Sequence, residues 1–316
     1  MQLSVIICTH NPRKDYLRRT LDALKVQTLP LEHWELLLID NASKESLAGQ
    51  WDLSWHPHAR HIREENLGLT PARLAGIRES GANILVFVDD DNVLAANYLQ
   101  KALDLTVSHP WVGAFGANII AEFETKPEAG IEPLVPWVGL IEVKDEEWVM
   151  GPGASALRCA PIGAGMVIHK RVAVHYAQLV SHDPLRQSLD RKGTSLLCHG
   201  DTDMALCSCA LGLAVGRFPQ LQFTHLIPTR RLNRDYLLRL IESAAFSDTV
   251  FHFIWSRQLP SAHPEPAAKC ASEKIFQAYK NFRARLRGPI KPSVVEQQQA
   301  AWRTGYLKAV KFLHER

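Results

Sequence analysis

Residues 84–92 read ILVFVDDDN. Five apolar residues, three of them β-branched, run without a polar break into three aspartates and an asparagine. A short apolar run ended by turn formers predicts a strand covered on both faces. Two similar runs precede it: Leu3–Thr9 (LSVIICT), ended by His10-Asn11-Pro12, and Glu35–Ile39 (ELLLI), closed by Asp40-Asn41-Ala42-Ser43. Tyr16, Leu17, Thr20, Leu21 and Leu24 recur at helical spacing, and Pro71–Ser80 has the proline-first, glycine-after pattern of a helix. A short strand over His61–Arg63 and a helix over Ala95–Ser108 complete the first hundred residues. This alternation predicts an α/β fold with a mixed, mainly parallel sheet and helices on both faces. Ligands of such sheets sit beyond the carboxyl ends of the strands. Three polar clusters, Thr9-His10-Asn11, Asp40-Asn41 and Asp89-Asp90-Asp91, would meet there in one crevice.

Further along the pattern loosens. Residues 111–158 carry prolines and tryptophans and read as a mixed-sheet or lid region lining a pocket. Gly163-Ala164-Gly165 precedes an apolar stretch, residues 200–216 read as helical, and Gln222–His225 as a last strand. After Pro228 the chain reads as helical over Asp235–Ser256, Lys269–Leu286 and Val294–Leu313.

The chain has 316 residues, 46% hydrophobic and 22% charged, the composition of a folded protein of about two domains. The net charge of +3 conceals an asymmetry: residues 226–316 hold 16 lysines and arginines against 7 acids. A basic C-terminal third either docks on an anionic partner, such as a membrane surface, or forms solvated helix faces. The first residues lack the basic and long apolar regions of a signal peptide, and no run approaches the ~20 apolar residues of a membrane span. The six cysteines form no CxxC pair. A cytoplasmic protein with reduced thiols is expected.

Three adjacent carboxylates after a buried strand raise one another's pKa unless a positive group sits among them. A divalent cation with oxygen ligands, Mg²⁺, Mn²⁺ or Ca²⁺, would resolve this; a solvated acidic loop capping the next helix is the alternative. In His199-Gly200-Asp201-Thr202-Asp203 one aspartate suits a helix N-terminus, and the other is spare for general-base work. His225, followed by Arg230-Arg231, could hold a metal–diphosphate or be a hydrogen-bonded structural residue. The histidines at 56, 58 and 61 have no fixed ligand face, and Cys207 and Cys209 point to different sides of a helix. No P-loop, GxGxxG or GxSxG is present.

The ordered set VIICTHNP (5–12), LLIDNAS (37–43), ENLGLTPARLAGI (65–77), VFVDDDN (86–92), GAG (163–165), HGDTDMAL (199–206) and HLIPTRRL (225–232) resembles the family 2 glycosyltransferases. The resemblance implies a GT-A fold, an inverting reaction and a nucleotide-diphosphate sugar donor, most often a UDP-sugar. It divides the chain into a GT-A domain over 1–230, its nucleotide half about 1–110 and its acceptor half about 111–230, and a basic helical extension over 231–316.

By position, the resemblance places Thr9, Asn11, Asp40 and Arg73 at the nucleotide, with Asp40 on the base. It places Asp89 and Asp90 at the donor, and Gly163 and Gly165 as a close wall beside donor sugar and acceptor. Asp91, with Asp89 and His225, would hold Mn²⁺ or Mg²⁺, and Arg231 would face the diphosphate. Asp201 matches the catalytic base, with Asp203 as second choice; Gly200 stands where the family usually has glutamate. The implied acceptor is a carbohydrate or lipid-linked hydroxyl in bacterial polysaccharide, glycolipid or glycan synthesis. Nucleic acid is not an expected partner, whereas peripheral contact with the inner face of a membrane and a homodimer are left open. The rivals are a catalytically silent nucleotide-sugar-binding protein of the same fold and, behind it, a DxD phosphohydrolase.

Overall fold

The computed structural model describes residues 1–151, 153–261 and 292–316. The strands are β1 (Leu3–Thr9), β2 (Trp34–Asn41), β3 (Ala59–Glu64), β4 (Ile84–Asp89), β5 (Asn92–Leu94), β6 (Val112–Phe123), β7 (Glu147–Met150), β8 (Val167–His169) and β9 (Ala214–Ile227). The helices are α1 (Lys14–Lys25), α2 (Leu69–Glu79), α3 (Tyr98–Ser108), α4 (Ala154–Cys159), α5 (Lys170–His182), α6 (Pro184–Gln187), α7 (Gly200–Ala210), α8 (Arg234–Ser256) and, as the last described, α9 (Val294–His314). The strands form one sheet in the order β3-β2-β1-β4-β8-β6-β9-β5, with β7 also paired to β9.

The expected α/β architecture is present, and its parallel part is where the continuous apolar runs lie. β1 pairs in parallel with β2 and β4, and β2 with β3. β8 enters antiparallel between β4 and β6, after which β6 and β9 run parallel. The alternate side chains of β1 enter two cores. Ile6 packs with Leu37, Phe87 and α2, α5 and α7 on one face; Leu3, Val5 and Ile7 pack with α1 and α3 on the other. Burying each such side chain is worth about 1.5–3 kcal/mol, which fixes the strand against a one-residue slip.

Residues 112–123 form a strand within the region expected as mixed sheet or lid. One segment differs from expectation: the helix expected over 200–216 ends at Ala210. Gly212, at φ 72°, turns the chain, and the apolar residues from Ala214 onward pair with β6 from Val112 as the start of a strand that runs to Ile227. The described helices after residue 231, α8 and α9, share cores with the rest: Val250, Phe251 and Ile254 lie in the cluster of Ile6 and Leu37, as do Ala309 and Leu313. The expected helix over 269–286 lies outside the described residues. Among those described, no helix is long and apolar enough to cross a membrane.

Candidate functional site

The in-register ends of three strands set the site. Thr9 stands beside Asp40, and Cys8 beside Asp89. Beyond them opens a cleft of about 500 Å³ lined by Thr9, Arg73, Asp89, Asp90, Asp91, Asp201, His225 and Arg231 among others. Eight of the residues expected at the site are therefore brought to one cleft.

Asn92 builds the acidic turn. Its Oδ1 accepts the Asp89 N–H at 3.0 Å, and its Nδ2 donates to Asp91 Oδ1 at 3.1 Å. Burial, reinforced by the Asp91 charge, pushes Asp90 up to about 7 and raises Asp89 as well. The Thr9 hydroxyl donates to Asp90. For Asp91, burial opposes the charge, but His225 and Arg231 outweigh it and hold its carboxyl below the ordinary value. Strand register brings these partners in, because β5 pairs antiparallel with β9 so that Asn92 faces His225. His225 Nε2 lies 3.5 Å from Asp91 Oδ2, and Arg231 Nη1 lies 3.2 Å from the same oxygen.

Across the cleft lies Asp201, the second residue of α7 and half-buried. Its Oδ2 accepts the Gly163 N–H at 2.7 Å, and its Oδ1 accepts the Thr202 N–H at 2.8 Å. Burial raises its pKa, but Arg73 and these backbone donors outweigh that and keep it ionised below the ordinary carboxylate value. Arg73 is buried and packed so close to Gly163 that a Cβ there would fall 2.1 Å from Nη2. Gly165, at φ 70°, accepts the Tyr98 hydroxyl and has no room for a side chain beside Phe223. The two glycines thus admit close neighbours, one facing the base and one the core.

Besides Gly165, three expected site residues are turned away from the cleft. Asp40 directs both oxygens at its own chain, accepting the N–H groups of Ser43 and Leu47 at 3.1 Å and a proton of Arg63 Nη1 at 2.8 Å. Asn11, at φ 48°, ties β1 to the same loop: its N–H donates to Ser43 Oγ, and its Oδ1 accepts the Lys44 N–H. Asp203 is fully buried, bonded to Arg186 and to Trp255 Nε1 at 2.8 Å. Helix geometry separates residues two apart on α7, so Asp201 faces the cleft and Asp203 the core.

Sequence reasoning missed two groups. Asp190, between α6 and α7, lines the cleft and pairs with Arg73 at 2.9 Å; burial pushes it up to about 6. No motif contains it, and the lack of a side chain at Gly200 is its one sequence trace. His199, at φ 83°, has Nδ1 3.2 Å from Cys198 Sγ and Nε2 3.5 Å from Asp248 Oδ1. Burial opposes its charge, but those partners outweigh it and raise its pKa to about 10. It therefore adds a positive charge near Asp201.

Among the described residues no three His, Cys, Asp or Glu side chains converge on one point. Asp91 Oδ2 and His225 Nε2 do converge, with Arg231 Nη1 within 3.3 Å of both. One carboxylate and one imidazole suit Mn²⁺ or Mg²⁺ whose remaining shell comes from a diphosphate and water, and the acids that burial raises gain from a positive neighbour.

Comparison with known proteins agrees with the geometry. Residues 4–156 match the description "Glycosyl transferase family 2". The chain is 31% identical over 131 residues to glycosyltransferase AglE of Haloferax volcanii, covering 40% of this chain and 41% of that one. It is 32% identical over 126 residues to amylovoran biosynthesis glycosyltransferase AmsE of Erwinia amylovora, covering 38% and 46%. Each match thus spans less than half of the curated relative. The fold resembles that of S. aureus TarS 1-349 in complex with UDP-GlcNAc, with a TM-score of 0.52 and 12% identity over 100% of this chain and 92% of that one. The match to the glycosyl transferase family 2 description, over residues 4–156, takes in the ends of β1, β2 and β4 and the acidic turn that line the cleft.

Proposed function

We propose that this chain is an inverting glycosyltransferase that moves a sugar from a nucleoside-diphosphate donor, a UDP-sugar, to an acceptor hydroxyl. One observation carries the reading: the acidic turn after β4 and Asp201 open on the same cleft, with the Arg73 charge bearing on both. The UDP-GlcNAc bound to the TarS structure supports a nucleotide sugar as donor. The nucleotide lies over the ends of β1 and β2 against Thr9, His10 and Asn41, while Asp40 and Asn11 hold the loop beside it. Arg231 faces the diphosphate. A divalent cation held by Asp91 and His225, with Asp89 beside them, would offset the charge of the departing diphosphate.

Asp201 takes the acceptor proton as that oxygen attacks the anomeric carbon from the face opposite the diphosphate. The new C–O bond forms as the bond to the diphosphate oxygen breaks, so configuration inverts without a sugar–enzyme bond. The Gly163 and Thr202 N–H groups orient the carboxylate from behind. The acceptor is a carbohydrate or lipid-linked hydroxyl of bacterial surface-glycan synthesis. The basic segment after residue 226 would meet an anionic leaflet where such acceptors reside.

A thermal-shift matrix of UDP, GDP, dTDP and CDP, each with Mn²⁺, Mg²⁺ or EDTA, tests the donor site. A ligand at a hundred times its Kd adds about 2.7 kcal/mol. The reading expects one nucleotide to stabilise the chain only with a cation, and Asp91→Ala to abolish the shift. No shift with any nucleotide would count against it.

A further inference from the structure

The mechanism above gives Asp190 no task, yet its carboxylate occupies a costly position. Its side chain is 5% exposed, and Oδ2 accepts from Arg73 Nη1 at 2.9 Å and from the Thr70 hydroxyl at 3.1 Å. The next residue fastens the loop: the Arg191 carbonyl accepts the N–H of Leu69, at the start of α2, from which Thr70 and Arg73 project. The same carboxylate lies on Gly200. A Cβ on that glycine would fall 2.2 Å from Asp190 Oδ2 and 2.5 Å from its Cγ. Asp190 therefore fills, from another loop, the space that a side chain directly before Asp201 would take.

Arg73 stands between two acids. One terminal nitrogen is held by Asp190, and the other packs on Gly163, whose N–H orients Asp201. A guanidinium released from Asp190 would be free to close a two-pronged pair with the Asp201 carboxylate, the geometry it favours. That pair would engage the oxygens that must receive the acceptor proton.

Building on the glycosyltransferase reading, we propose that Asp190 is a positioning residue: it anchors Arg73 so that the guanidinium braces Asp201 without capturing it. The groups that bear on Asp201 are Arg73 from α2, His199 from the N-terminus of α7, Asp89 from the end of β4, and Asp190. Two are positive and two negative. Removing the Asp190 charge leaves both positive groups against one acid, which makes Asp201 a weaker base.

The test uses the full chain and the nucleotide sugar that the wild type hydrolyses fastest among UDP-, GDP- and dTDP-sugars, with Mn²⁺ and water as acceptor. Asp190→Asn and Asp190→Ala are expected to lower kcat about tenfold or more while the donor KM stays within roughly twofold. The acid limb of the kcat profile moves to lower pH, which loss of a merely structural contact would not produce. Asp190→Ala with Gly200→Asp returns a carboxylate to the vacated space from the other side and is expected to recover most of the loss. Asp190→Asn keeps the side-chain volume and serves if the alanine variant fails to fold. A folded Asp190→Asn with wild-type kcat and an unmoved acid limb overturns the proposal, as does a double variant no faster than Asp190→Ala. A wild type that hydrolyses no nucleotide sugar overturns the underlying reading as well, whereas an active wild type with indifferent Asp190 variants overturns this inference alone.

Discussion

The Gly163 N–H donates to Asp201 Oδ2 across 2.7 Å, and the absence of a side chain on Gly163 lets Arg73 approach the same point. One glycine thus serves as hydrogen-bond donor to the base and as the gap through which the guanidinium field reaches it. Field and donor together hold the Asp201 pKa below the ordinary carboxylate value in a partly buried wall, where burial alone would raise it.

Gly163→Ala tests that arrangement. Its Cβ would fall 2.1 Å from Arg73 Nη2, so the guanidinium must move. Overpacking of this kind costs about 1–3 kcal/mol. Urea unfolding should show that loss, and donor hydrolysis should fall about tenfold or more because the base loses its alignment.

Asp203→Asn separates the two aspartates of α7. Asp203 is buried on Arg186 and Trp255, and its replacement leaves Arg186 only the longer pair with Asp183 at 3.7 Å, a loss bounded by the about 3–5 kcal/mol of a fully broken buried pair. The expected outcome is a much lower denaturation midpoint, with wild-type turnover per folded molecule at a temperature where the variant remains folded. A variant of full stability and no activity would instead make Asp203 the base.

The acidic turn gives the metal-free chain a pH signature. Burial and the Asp91 charge put Asp90 at about 7 and raise Asp89, and burial puts Asp190 at about 6. A carboxyl whose folded value lies above its unfolded one stabilises the fold while protonated. That contribution is complete below about pH 4 and is lost as pH rises through about 6 to 7. In EDTA the Tm should therefore fall between about pH 5 and pH 7.5. Mn²⁺ should raise Tm more at the higher pH, and Asp90→Asn should flatten the EDTA profile. An equal Mn²⁺ effect at both pH values would count against a cation at this turn.

How far the sequence could be read depended on how local each signal was. β1, β2 and β4 were legible because parallel strands buried on both faces are continuous apolar runs, and their polar ends mark the cleft directly. The bounds of β6, within a region read only as mixed sheet or lid, and the start of β9 were not. β6 passes from a buried first half to a more exposed second half among prolines and tryptophans, and Ala214-Val215 follows a helix after a turn that only Gly212 announces. Asp91, His225 and Asp201 stood out through their motifs. Asp40 had the right position, but its environment, a loop of backbone donors and Arg63, directs its oxygens inward. Asp190 is a lone acid in an irregular loop 117 residues from Arg73, and no short-range pattern connects them.

The most direct measurement compares wild type and Asp201→Asn for nucleoside-diphosphate binding and for donor turnover in the same preparations. The account predicts equal binding, because the amide keeps the shape of the cleft, and turnover lower by about 10²–10⁴-fold, because the proton acceptor is gone. Wild-type turnover in the variant would contradict Asp201 as base, and binding without turnover in both proteins would contradict the transferase itself.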